Sequence, residues 1–287
     1  MLHIKKDLGM ESHTGDSALF VKMDGCTPDG VLGAYMDDSC MGGNDKFQDL
    51  TLATLDKFKY KPRVWEEFQF IGVSVRTLLG QPRSFALCPN VYFDSRSRLL
   101  LSEIYEEFMR ARAAFVWMAH GRRNLCCSIN RADQVTEALS SEKQVKGMNK
   151  AIKHAKSTEE MVLSLKPLER ASLHLRVFAD APLHSSYDMS SQLGYTVLLC
   201  DAEDECLVLT YSSRKARRIV RSIMAGEVYA FADAFDAAYI LKHYKELVYN
   251  QLLHLVMLTD SKQTFHVITR ATNTTEKRLI IDFAVAR

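Results

Sequence analysis

The apolar positions change period several times along the chain, and each change marks a predicted element. In "SALFVKM" (Ser17 to Met23) and "VLGAY" (Val31 to Tyr35), short apolar runs flank the turn formers "DGCTPDG". That arrangement predicts a hairpin joined by a loop of several residues. Phe47, Leu50, Leu55 and Phe58 recur close to helical spacing, which predicts an amphipathic helix over 44–60. "EEFQFIGVSVRT" and "SFALCPNVYF" read as a further pair of strands. From 102 to 157 the pattern is helical. Ile104, Phe108, Ala111 and Phe115 share one face of "SEIYEEFMRARAAFVWMA", and Val145, Met148 and Ile152 form a stripe in "SEKQVKGMNKAIKHAKS". These read as packing helices. The segment 157–170, which contains a proline, reads as a connector. After it come three strand-like runs, "LHLRVFADAPL", "LGYTVLLCD" and "CLVLTYSS", and the long helical pattern "SIMAGEVYAFADAFDAAYILKHYKEL". An apolar run, "LLHLVMLTDS", and a helical "QTFHVITR" follow. Strand, strand, strand, helix, strand, helix is the order of a mixed sheet covered by helices. The change of character places a boundary near Leu165, dividing the chain into 1–165 and 166–287.

Composition narrows the picture without deciding it. With 287 residues, 47% hydrophobic and 25% charged, the chain is long enough for one large or two ordinary domains and has no disordered bias. Its 37 Lys+Arg against 35 Asp+Glu leave a net charge of +2, so any nucleic-acid surface has to be local. Seven cysteines without a CxxC pair argue against a zinc ribbon and against a secreted disulfide framework, and fit a reducing compartment. The first residues lack the apolar core of a signal peptide, and no apolar run reaches membrane-spanning length. The expectation is an intracellular protein, cytoplasmic or nuclear, with no membrane partner.

Three acids stand out in 166–287 by position. Asp180 ends the first strand in "RVFADA", Glu227 lies in the first turns of the long helix, and Asp260 ends the fourth strand in "VMLTDS". If the first and fourth strands are neighbours, Asp180 and Asp260 lie side by side and the helix can add Glu227. Such a set suits Mg²⁺ or Mn²⁺, hard cations that take oxygen ligands and can serve phosphodiester hydrolysis. Singly, each has an ordinary alternative: Asp180 as a strand-end turn residue, Glu227 as an anion favoured near a helix N-terminus. The stretch "SSRKARRIVRS" adds Arg214, Lys215, Arg217, Arg218 and Arg221, either a phosphate-contacting cluster or a solvated basic turn. In 1–165, the adjacent Asp37 and Asp38 end a strand-like run. Two neighbouring carboxylates repel, so they form either a solvated turn or a metal site.

With these motifs in order, "VFADA", "SSQLGYTVLL", "LVLTYSSRKARRIVRSIMAGEVYAFADAF" and "MLTDS", the stretch 173–287 resembles the RNase H domain of Copia-type retrotransposon polyproteins. The resemblance implies that Asp180, Glu227 and Asp260 are metal ligands and catalytic. The earlier part, with "LGMESHTGDSALFVKM", "YMDD" (Tyr35 to Asp38) and "FQFIGVSV", resembles the end of the same polyprotein's reverse transcriptase. There Asp37 and Asp38 correspond to palm carboxylates that hold Mg²⁺, and Tyr105 to Ser157 to a helical connection. The implied fold is α/β of the mixed α+β kind: a partial palm and connection, then an RNase H-like mixed sheet with flanking helices. The implied activity is metal-dependent hydrolysis of RNA in RNA–DNA hybrids. The alternative is a non-catalytic retroelement remnant, or a coopted module that binds nucleic acid or protein. An upstream palm aspartate and fingers residues find no match, so no polymerisation is expected from this chain alone, and the resemblance implies a polymerase segment of a longer polyprotein as one candidate partner. A fourth RNase H acid also finds no clear match; Asp282 is the weak candidate, since its place between Ile280 and Phe283 fits a strand or helix surface equally well.

Overall fold

The computed structural model describes residues 8–12, 16–25, 27–35, 38–56, 67–70, 73–77, 85–89, 105–119, 121–133, 142–158, 161, 163–183 and 190–270. The described strands form three four-stranded sheets.

The first sheet is an antiparallel meander of β1 (Glu11–Ser12), β2 (Leu19–Asp24), β3 (Thr27–Tyr35) and β4 (Asp38–Gly43). Its first long hairpin is tighter than the run of turn formers predicts. Pairing continues through Met23 with Pro28 and Asp24 with Thr27, after a register shift between Lys22 and Met23. The shift accommodates Pro28, which has no N–H to give to a ladder, and Gly25 takes the left-handed φ of 59° that the turn requires. Helix α1 (Asp45–Leu55) packs on this sheet. Asn44 caps it, accepting the Phe47 N–H at 2.8 Å through its side chain, while its own Nδ2 donates to Asp29 Oδ1 at 2.8 Å. The predicted helix extended to Tyr60; it ends at Leu55, and 57–60 lie outside the described residues.

Phe20, Leu32 and Phe47 form the core beneath this sheet. The Phe47 ring lies so close to Gly30 and Gly43 that a Cβ on either would fall 2.2 Å and 2.5 Å from ring atoms. Only glycine fits there. Gly30→Ala is therefore expected to lose about 2 kcal/mol of stability through overpacking, read as a lower urea midpoint at unchanged m-value.

The second sheet runs β5 (Glu67–Phe70), β6 (Val73–Thr77), β7 (Phe85–Pro89) and β8 (Leu163–Leu165). Here "EEFQFIGVSVRT" is two strands with Phe70 opposite Val73, a division that its almost unbroken apolar run conceals. The supposed connector likewise contains β8, hydrogen-bonded to β7 from far along the chain. Between β7 and β8 lie α2 (Tyr105–Met118), α3 (Cys126–Asp133) and α4 (Glu142–Ser157). Phe108, Phe115, Val145, Met148 and Ile152 belong to one shared core, so both predicted stripes turn inward, each helix packing on α3; Ile104 lies outside the described residues. The eight-residue α3 is too short to reveal a period. Arg122, 2% exposed, donates to Ala155 O at 3.1 Å and Thr158 O at 2.6 Å, closing the C-terminal end of α4 with a cation.

The third sheet has the order β11 (Cys206–Lys215), β10 (Gln192–Cys200), β9 (His174–Asp180), β12 (His254–Leu258). The first three strands are antiparallel, and β12 lies parallel to β9, with Leu258 level with Phe178. A parallel pair needs a long crossover, supplied by α5 (Ile223–Tyr249). Ala225, Ala230, Ala234 and Ala238 are all fully buried, and this row of small side chains lets α5 lie close against β9 and β10. Helix α6 (Lys262–Arg270) follows β12. Helix α3 packs on β11, with Asn130 Oδ1 of α3 accepting from Gln192 Nε2 of β10 at 2.8 Å, and the Tyr211 hydroxyl of β11 donates to Ala119 O just after α2. At the hairpin end, Cys200 and Cys206 form a disulfide that cysteine spacing alone does not indicate.

Candidate metal centre

The chain is directed into the site by three element ends. Strand β9 ends at Asp180. Helix α5 starts at its cap Ser222, whose side chain accepts the Ala225 N–H at 3.1 Å, and this fixes Glu227 within the second turn. Gly226 lies against the residue after Asp180: a Cβ there would be in ordinary contact, 3.4 Å from both Ala181 Cβ and Val220 Cγ1. Strand β12 runs into Asp260, and the next residue, Ser261, caps α6 by accepting the Thr264 N–H at 3.2 Å. Thr259 Oγ1 accepts the Ser261 N–H at 3.1 Å, so the residues on both sides of Asp260 are tied.

The parallel pairing of β9 with β12 brings the two strand ends together, and the three carboxylates converge with one oxygen of each within 4.8 Å of the others. Asp180 and Asp260 are exposed, whereas Glu227 is 7% exposed. Burial pushes the Glu227 carboxyl up to about 7, with the negative charges of Asp180 and Asp260 adding to the effect and a hydrogen bond from the Ala181 backbone N–H opposing it. Its Oε2 is buried and has no hydrogen-bond partner among the described residues. A buried carboxylate oxygen without a donor is costly. Facing two further carboxylates, it suits a hard cation with oxygen ligands.

The basic stretch divides. Arg214, on β11, is engaged by Asp233 of α5, its Nε 3.0 Å from Asp233 Oδ2 with a second guanidinium nitrogen on Oδ1. Arg218 lies over the Tyr229 ring at 5.3 Å. Lys215, Arg217 and Arg221 are exposed, between the end of β11 and the start of α5. Sequence reasoning missed Asp233. No spacing rule links Arg214 to Asp233. Of the other candidates, Asp38 begins β4, with its backbone opposite Tyr35. Asp37 and Asp282 lie outside the described residues, as does the side chain of Asp38.

No protein-family model and no curated protein matches the sequence. A solved structure does match, that of the foamy viral protease-reverse transcriptase in complex with RNA/DNA hybrid, with a TM-score of 0.51 at 10% identity. The match covers 88% of this chain and 34% of that one, so the chain spans about a third of the length of its structural neighbour. At this identity the likeness concerns the fold alone, and the fold is of the mixed α/β class.

Proposed function

We propose that 166–287 is an RNase H-type nuclease unit that hydrolyses RNA in RNA–DNA hybrids with Mg²⁺ or Mn²⁺, and that 1–165 is the closing part of a reverse transcriptase, both from a Copia-type retroelement polyprotein. The observation that carries this reading is the convergence of Asp180, Glu227 and Asp260 within 4.8 Å, with a buried Glu227 oxygen left without a donor. The RNA/DNA hybrid bound by the foamy viral neighbour supports the choice of substrate.

Asp180, Glu227 and Asp260 would hold the metal. Once bound, it would lower the pKa of a water and offset charge on the departing 3′ oxygen of the phosphodiester. The residues divide the remaining work. Glu227, buried and held by the Ala181 N–H, anchors the site from below. Asp180 and Asp260, exposed at adjacent strand ends, face the approaching strand. Arg217 and Arg221, beside the start of α5, are placed to neutralise phosphates. Arg214 serves instead to fasten β11 to α5.

The deciding experiment is cleavage of a labelled RNA–DNA hybrid by purified protein with Mg²⁺ or Mn²⁺, beside Asp180→Asn. Metal-dependent cleavage absent from the variant is the expected result. A folded protein that retains the hybrid but leaves it intact would instead be a binding module. The division of the basic stretch has its own readout. Replacing Arg217 and Arg221 together by Ala is expected to weaken hybrid binding and lower the salt slope by about 2, whereas Arg214→Ala lowers the melting temperature and changes the slope little.

A further inference from the structure

We propose that Cys200 and Cys206 form a reversible staple closing the β10–β11 hairpin, and that Cys206 is the site at which a small thiol of the glutathione class exchanges with it. The two residues are direct register partners with Cα atoms 4.2 Å apart, and their side chains are joined in the structure. They differ sharply in access. Cys200 is fully buried, while Cys206 is only partly covered at the start of an edge strand.

The loop between them keeps its shape by other means. The Asp201 carboxylate accepts the N–H groups of Glu203 at 3.0 Å, Glu205 at 3.1 Å and Glu169 at 3.2 Å. Arg176 pairs with Asp204 at 2.6 Å and Lys166 with Glu205 at 3.1 Å. Opening the staple therefore leaves the hairpin in place with its sulfurs still opposed. The reduced state also has a partner, since Cys206 Sγ is 3.3 Å from the Asp204 carbonyl, which can accept its S–H.

Access fixes the direction of exchange. A small thiolate attacks Cys206 Sγ, the S–S bond breaks, and Cys200 departs as a thiolate that takes up a proton, leaving a mixed disulfide on Cys206. A second thiolate attacks the small-molecule sulfur of that adduct and releases Cys206 as a thiolate together with the oxidised small thiol. In reverse, oxidised glutathione supplies the oxidant and two reduced molecules leave. Cys200, held opposite, recloses the staple by displacing the small thiol.

The test uses the full chain, native, in mixtures of reduced and oxidised glutathione, with acid quenching and peptide mapping. Wild type is expected to interconvert between a state with both thiols and one with neither, the second melting about 4 °C higher, as closure of a short loop implies. Cys200→Ala should accumulate glutathione on Cys206, while Cys206→Ala should leave Cys200 unmodified until the protein unfolds. Should Cys200→Ala not fold, wild type quenched during reduction supplies the same readout through the position of the transient adduct. Two free thiols persisting in excess oxidised glutathione, or an adduct on Cys200 in native protein, would overturn the proposal.

Discussion

Asp260→Asn is expected to slow hybrid cleavage by about three orders of magnitude at saturating Mg²⁺, or about 4 kcal/mol of barrier. The substitution keeps the shape of the side chain and removes its charge. Asp260 is exposed, and the hydroxyls beside it hold the turn without its help, so the fold does not depend on its carboxylate. The set of anions does, because only two would remain within 4.8 Å. The loss should thus appear in catalysis and in Mg²⁺-induced thermal stabilisation, with the metal-free melting temperature unchanged or slightly raised. Cleavage at the wild-type rate by the variant would remove the acid cluster from the reaction.

Glu227→Gln is expected to stabilise the metal-free protein at neutral pH by up to about 3 kcal/mol, the equivalent of its shift from 4.5 to about 7. In that interval the native carboxyl holds a proton that the unfolded chain has released. Stability of the wild type therefore falls as pH rises from 4.5 to 7 and levels off above, where the folded protein bears the whole cost of a buried charge between two others. Gln bears no such charge, so its pH dependence across the interval should be flatter. Saturating Mg²⁺ should reverse the ranking at pH 8, since a ligand at a thousand times its Kd adds about 4.1 kcal/mol to the protein that binds it, more than the cost of the charge. Denaturant titrations at pH 5 and pH 8, with Mg²⁺ and with chelator, give all four values. A Gln variant no more stable than wild type at pH 8 in chelator would show that the Glu227 charge is already compensated within the protein.

The third sheet was the most legible part of the chain because its strands alternate or run apolar between clear turns and its helix repeats alanine on one side. The acids were legible as strand and helix ends. Their convergence hung on one condition, adjacency of β9 and β12, which pairing far apart in sequence decides. The other losses have the same origin. Strand β8 is short and owes its pairing to β7, far upstream. Helix α3 owes its place to contact with β11, and Arg214 its fixed position to Asp233 on another element. Local pattern records how a segment meets the core, and it is silent about which distant segment it meets.

The same long-range pairing sets an order of events. Strands β9, β10 and β11 can zip through neighbouring hairpins, but β12 cannot join β9 until the whole of α5 has formed and crossed the sheet. Closing so large a loop is slow compared with hairpin formation. Asp180 and Glu227 can be in place before Asp260 arrives, so an ion held by all three would bind fully only with the last strand, and the kinetics of its uptake during refolding would time that arrival.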